Sequence, residues 1–326
     1  MAKASNGWAL WVAKGTYKPA NGIGHLDTAT FDTSFVMKQG VSLSFLSSRG
    51  SDAGGIANQS SSPTITHCVF QNNLGGLGSA MLNFNGSAPT ISFSRFTNNK
   101  APSGTGIYEK NSSSVYINSI FDGNIAQYGG GAAYIQGANV TFNNCVFLSN
   151  SSAASGGAIY SLGSKISIVN STFSSNSARY MGGAVYFESA RNFQNNAFIQ
   201  NSIFWGNSTL STDGSQIAIN PDSISRDTIR LSYSDLQGGV ASIFKRSNST
   251  IVQGLGIIQT TPQFLNTSNF SGPDGKYFTR DDGLNLTPGS PAINAGDQST
   301  SEIPTTDITG AARVQGGRVD MGAYEQ

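Results

Sequence analysis

The stretch Gly156–Phe187, GGAIYSLGSKISIVNSTFSSNSARYMGGAVYF, says one short phrase twice. Gly-Gly-Ala-Ile-Tyr at 156–160 returns as Gly-Gly-Ala-Val-Tyr at 182–186, 26 residues on. Outward from it, Phe-x-x-Asn recurs as Phe70/Asn73, Phe96/Asn99, Phe121/Asn124, Phe147/Asn150, Phe173/Asn176 and Phe204/Asn207, in steps of 26, 25, 26, 26 and 31. The tyrosine recurs at Tyr108, Tyr134, Tyr160 and Tyr186, three steps of 26. Two independent markers on one period are the signature of a stacked-repeat protein.

Within a repeat the apolar residues alternate, as in Ile166/Ile168 and Val140/Phe142, which is the pattern of strands rather than helices. Between Ile168 and Phe173 the parity changes, so the chain must bend there. Asn170 stands at the bend, and Asn118, Asn144 and Asn201 hold the same column. Asn tolerates the left-handed conformation of a corner, and stacked Asn side chains can bond from rung to rung. His67 and Phe93 interrupt this column, so a differently shaped corner is expected at those two copies. With Gly-Gly as a further turn, each repeat reads as about three short strands: one circuit of an all-β, single-stranded, right-handed parallel β-helix of about 26 residues per coil. Two residues before each marker Phe come Cys68, Ser94, Ser119, Cys145, Ser171 and Ser202, all small, as a narrow coil requires. Cys68 and Cys145 share this column three rungs apart, roughly 14 Å, too far for a disulfide. The β-helix is expected over 1–261, with regular coils near 57–220 and initial strands in GWALWVAKGTYK and TSFVMKQGVSL. Residues 262–326 read as a cap packed on the helix end, since a solenoid otherwise exposes its core and sheet edges there.

The alternation of Phe-x-x-Asn with Gly-Gly-Ala-Ile resembles the repeats of chlamydial polymorphic membrane proteins, which are surface β-helix adhesins. The tail, GPDGKYFTRDDGLNLTPGSPAINAGD followed by TTDITGAARVQGGRVDMGAYE, is similar to the ending of bacterial secreted right-handed β-helix repeat proteins of the choice-of-anchor-associated type. The resemblance covers essentially the whole chain. It implies an extracellular or cell-surface location and a polysaccharide or host-surface partner, but no single activity. The start, MAKASNGWALW, lacks the apolar stretch of a signal peptide, so export implies one already removed.

Composition narrows the partners. Charged residues are 11% and net charge is +1, which points away from nucleic acid; no apolar run is long enough for a transmembrane segment. Polysaccharide lyases and hydrolases need acids and bases converging from adjacent rungs. Between Ala57 and Ala190 the acids are Glu109, Asp122 and Glu188, with no two on neighbouring rungs. A looser set, Asp213, Asp222, Asp227 and Asp235 with Arg226 and Arg230, lies where the repeat turns irregular; a polysaccharide-active enzyme would carry its site there, near 213–235. Solvated turn acids are the plainer reading of that set. The histidines, His25 and His67, are far apart, and His67 in the corner column reads as structural.

The tyrosines offer a binding face instead. Ile107, Ala133, Ile159 and Val185 precede them and point inward by alternation, which turns Tyr108, Tyr134, Tyr160 and Tyr186 outward as a ladder, with Leu82 and Ile217 in the equivalent flanking positions. Such a stripe can stack on sugars or a protein partner, or can simply stabilise its own sheet. The favoured function is therefore an adhesin-like or glycan-binding surface scaffold without catalysis. In the tail, PDGKYFTRDDG places Asp274, Asp281 and Asp282 in a Gly-bounded loop. It resembles Ca²⁺ loops without the EF-hand spacing, so structural Ca²⁺ and a plain turn both remain open.

Overall fold

The computed structural model describes residues 55–189, 194–211, 214–221, 226–246, 248–299 and 303–326, with the backbone of three earlier strands, Gly15–Tyr17, Val36–Met37 and Val41–Leu43. Those three join the coil's sheets as further rungs.

Every strand pair is parallel, and equivalent residues of successive repeats lie side by side, as in Tyr108↔Tyr134↔Tyr160↔Tyr186. The result is a parallel β-helix. Each coil holds four strands rather than three, illustrated by Ser113–Ile117, Ile120–Asp122, Ile125–Gly129 and Ala133–Gln136. These belong in turn to a leading sheet, a phenylalanine sheet, a short five-stranded sheet and a tyrosine sheet. The short strand went unread because only two to five residues form it and their side chains are mostly Ser, Ala and Thr.

The corner column behaves uniformly. Asn118, Asn144, Asn170 and Asn201 all have φ between 47° and 51°, and His67 and Phe93 adopt the same conformation at 55° and 45°. The two aromatic rings stack on each other at 5.0 Å, a contact that offsets the cost of a left-handed non-glycine residue. The corner therefore keeps its shape where the sequence suggested it would not.

The marker phenylalanines fill the lumen. Phe70, Phe96, Phe121, Phe147, Phe173 and Phe204 are fully buried and stacked nearly parallel, with centroids 4.4–4.8 Å apart. Each buried ring contributes roughly 1.5–3 kcal/mol. Three residues on, the marker asparagines form the main side-chain ladder. Each Nδ2 donates to the Oδ1 of the next rung at 2.7–2.9 Å, and from Asn99 onward also to a Phe carbonyl of the rung before. The corner asparagines contribute one such bond, Asn144 to Asn118. The small column carries a second ladder, in which the hydroxyls of Ser94, Ser119, Ser171 and Ser202 accept a backbone N–H from the rung before. Cys68 and Cys145 are free and buried in that column, as the rung count requires, and burial pushes both thiols up to about 12.

The tail does not sit on the helix end. Leu284, Ile308, Ala323 and Tyr324 pack on the outer side of the phenylalanine sheet against Ile120, Val146 and Leu148, and Leu286, Ala292 and Met321 pack against Ile203. Asn144 and Asn201 donate to the Thr306 and Asp297 carbonyls, and Arg95 lies 3.8 Å over the Tyr277 ring. The reason is the apolar residue directly before several marker phenylalanines, which makes the outer face of that sheet too apolar to leave in water. The lumen's C-terminal end is closed instead by Leu236, Val240 and Ile243 around a short 3₁₀ turn, Val240–Ser242. Within the tail, Arg313 is buried against Glu325 at 3.7 Å and donates to the Asp320 and Gly322 carbonyls.

Candidate functional site

The tyrosines leave the coil on the outer side of their sheet, since Ile107, Ala133, Ile159 and Val185 beside them are fully buried. Their exposure is uneven. Tyr134 and Tyr160 are half-buried, whereas Tyr108 and Tyr186, at 7% and 5% exposure, are buried at the ladder's two ends. The Tyr108 hydroxyl donates to Gln136, and Asn220 Nδ2 donates to the Tyr186 hydroxyl. Leu82 flanks the ladder as expected, but the residue after Tyr186 is Ala218; Ile217 lies one place off and points inward.

Two features explain the burial. The rings stack on each other, 5.1 Å apart for Tyr108–Tyr134 and 4.7 Å for Tyr134–Tyr160, with the last pair tilted by 55°. They also lean over the glycine turns: a Cβ on Gly129 would fall 2.7 Å from the Tyr160 ring, and one on Gly104 2.8 Å from Tyr134 Cβ. Gly-Gly is thus what lets the phenols lie against backbone. Burial, with smaller contributions from Tyr108 and Glu188, pushes the Tyr134 hydroxyl up to about 12. The ring faces of Tyr134 are spent on its neighbours, and the ladder offers edges and hydroxyls rather than flat surfaces.

Flat aromatic surface lies beside it. Tyr128 and Tyr180 are 60% and 51% exposed. They sit at equivalent positions just before Gly-Gly, Tyr128 near the end of the short strand Ile125–Gly129, with Ala154 between them: Gly129 bridges Ser155, and the Tyr180 N–H donates to the Ala154 carbonyl. Two rungs put them roughly 10 Å apart. Each lies seven residues after its marker, Phe121 or Phe173, but Ala154 holds that place on the rung between, so the column never reads as a run of aromatics.

The described acids of the coil do not converge. Glu109 is wholly buried in the lumen, where its oxygens accept from Asn83, Tyr116, Ser112 and Ser114 at 2.5–2.7 Å. Burial raises its pKa against those four donors. Asp122 pairs with Arg95 at 3.4 Å beneath the tail. Glu188 is half-buried on the tyrosine strand, its pKa raised by burial. Asp227 lies buried under the leading sheet, accepting from Asn195 N and Nδ2. Asp235 is buried on the outer side of the phenylalanine sheet, where burial pushes its carboxyl up to about 7. Arg230 points outward and donates to Asn196, and Arg226 is exposed. Asp227 and Asp235 thus occupy different sheets and do not form one cluster; Asp213, Asp222 and His25 lie outside the described residues. His67 bonds its neighbour Thr66 and stacks on Phe93.

In the tail loop Asp281 and Asp282 both accept from the Thr279 hydroxyl, and Asp281 also accepts the Asp274 N–H. Asp282 is buried and accepts from the Phe278 and Thr279 N–H groups and from the Tyr324 hydroxyl. Asp274 accepts from the Lys276 N–H, and Asp281 faces Thr279. Loop N–H groups and hydroxyls already donate to these carboxylates, and among the described residues no three His, Cys, Asp or Glu side chains group as metal ligands.

The family description "Right handed beta helix region" matches residues 53–253, well over half of the chain, so this chain belongs to that family and its coil is right-handed. No curated protein matches it. Among solved structures, the crystal structure of pectate lyase Pel9A is similar over 96% of this chain and 86% of that one, at 16% identity and a TM-score of 0.45. That likeness is too distant to bear on chemistry. Among the described residues no helix is long and apolar enough to cross a membrane.

Proposed function

We propose that this chain is an exported, surface-located scaffold that binds polysaccharide without turning it over. The observation that carries the reading is the pair of exposed rings, Tyr128 and Tyr180, aligned along the axis beside the half-exposed edges of Tyr134 and Tyr160. A rigid rung repeat holds them at a span longer than one sugar ring, which suits a polymer better than a monosaccharide. The face of Tyr128 and the face of Tyr180 away from Arg179, whose guanidinium lies 5.5 Å over the Tyr180 ring, would take pyranose rings, and Gln136 and Glu188 are placed to meet hydroxyls around them. The described acids of the coil support a non-catalytic role, because each is buried, paired or isolated. The surface location rests on the resemblance of the repeats and tail to adhesin-type and secreted β-helix proteins.

The test is affinity electrophoresis against pectate, alginate, xylan and cellulose derivatives. The variant Tyr128→Ala/Tyr180→Ala should weaken binding by roughly five- to a hundredfold, the worth of two stacking contacts. Unchanged binding by that variant, or no binding to any polymer by the native chain, overturns the reading.

A further inference from the structure

The asparagine ladder has a direction and an end. From Asn73 through Asn99, Asn124, Asn150 and Asn176, every Nδ2 points its hydrogen to the next rung, and Asn176 passes it to Asn207. Asn207 donates to Gln216 Oε1 at 2.6 Å, and Gln216 Nε2 donates to Gln237 Oε1 at 3.1 Å. Gln237 Oε1 also accepts the Gly206 N–H at 2.7 Å. The chain stops there: Gln237 Nε2 has no acceptor within the described protein. Aligned amides polarise one another, and their dipoles add as they do along a helix. The C-terminal end of the ladder is therefore its positive end.

That end opens into a cavity of about 640 Å³ at the last coil, whose lining includes Gln237, Gln216, Ser215, Ser242, Phe244 and Lys245. The volume suits a small ligand. No acid stands among the described lining residues, and Lys245 is exposed, so its ammonium adds to the positive end of the ladder. Phe244, which continues the tyrosine column beyond Ala218, supplies one apolar wall; the Ser215 hydroxyl and Ser242 Oγ, whose own hydrogen goes to the Gln237 and Gly239 carbonyls and which is left to accept, supply polar ones.

We propose that this cavity binds an acidic sugar unit, its carboxylate held by Gln237 Nε2 and the Lys245 ammonium and its hydroxyls by Ser215 and Ser242. A carboxylate is the group that two amide hydrogens and an ammonium recognise together. The sugar ring is what gives Phe244 and the hydroxyls a role. The site is separate from Tyr128 and Tyr180, so it stands or falls independently of the polymer-binding face.

Isothermal titration of the intact chain with D-glucuronate, D-glucose and acetate tests it. Glucuronate should bind at least about tenfold more tightly than either D-glucose or acetate. Gln237→Glu keeps the oxygen that accepts from Gly206 and Gln216 but replaces the free donor by a like charge. Lys245→Met keeps the apolar stem of an exposed side chain, so it serves even if the first variant folds poorly. Each should cost glucuronate about tenfold or more, while Tyr128→Ala/Tyr180→Ala should leave it unchanged. No glucuronate binding, glucose bound as well as glucuronate, or an unaltered affinity in Lys245→Met overturns the proposal. Acetate bound as well as glucuronate overturns the saccharide assignment.

Discussion

Asn150→Ala probes the ladder that ties the rungs together. The Asn150 side chain makes four buried hydrogen bonds. Its Oδ1 accepts from the Asn124 N–H at 3.1 Å and from Asn124 Nδ2 at 2.8 Å, and its Nδ2 donates to the Phe121 carbonyl and to Asn176 Oδ1, both at 2.9 Å. At about 1 kcal/mol net for each, the substitution costs about 4 kcal/mol. Partners left unsatisfied in the lumen push the figure up, and relaxation of the coil pulls it down. Asn139→Ala is the control: that residue is exposed on the leading sheet, and the change should fall within about 0.5 kcal/mol of zero. Urea unfolding followed by far-ultraviolet circular dichroism reads both. A loss below about 1 kcal/mol for Asn150→Ala would show that the ladder is ornamental and that apolar stacking alone holds the rungs.

Asp235 makes stability depend on pH with a defined sign. Neither carboxylate oxygen receives a well-formed hydrogen bond, and the weak pull of the Thr260 backbone N–H offsets little of the burial that raises its pKa to about 7. The folded state then holds its proton after the unfolded chain has lost it, so this residue's contribution falls as pH rises from about 4 to about 7. Asp235→Asn should be the more stable protein at pH 8, with the two curves converging below pH 4; parallel curves would contradict this. Thiol titration should find both cysteines inert in the folded chain and two reactive groups after unfolding without reductant. Because loop donors occupy Asp282, melting should be the same in calcium and in chelator, and a calcium-dependent rise would reinstate a cation in the tail loop. Arg313→Met leaves Glu325 buried without its partner and should destabilise the tail by about 3–5 kcal/mol, seen as faster proteolysis after Pro262.

Much of the coil was legible because its markers obey a period that backbone geometry imposes. Phe-x-x-Asn names a lumen residue and a ladder residue, and Asn118, Asn144, Asn170 and Asn201 mark a left-handed corner. Other features have no periodic cause. The corner at His67 and Phe93 keeps its shape because two rings stack, a contact visible only once the rungs are aligned. The tail's position follows from Ile120, Val146 and Ile203, apolar residues on an outward face. The residue before four of the six markers, Val69, Ile120, Val146 and Ile203, carried that signal, though alternation alone would have made it polar. Alternation did turn the tyrosines outward, but it is silent on what covers an outward ring. The glycine turns and the neighbouring phenols cover these, and the free aromatic surface moves to Tyr128 and Tyr180. Of the loose acidic set, the two described acids part for a similar reason: Asp227 stands just before the leading-sheet strand Thr228–Ser232 and Asp235 opens a strand of the phenylalanine sheet, past a corner.

Binding without turnover is the core of the functional account, and one time course tests it most directly. The native chain is incubated with the polysaccharide it retains most strongly, while new reducing ends and the absorbance of unsaturated uronides are followed together. The account predicts that both stay at the level of the polymer alone while the complex persists. A sustained rise in either signal would contradict it and make this chain a polysaccharide-active enzyme.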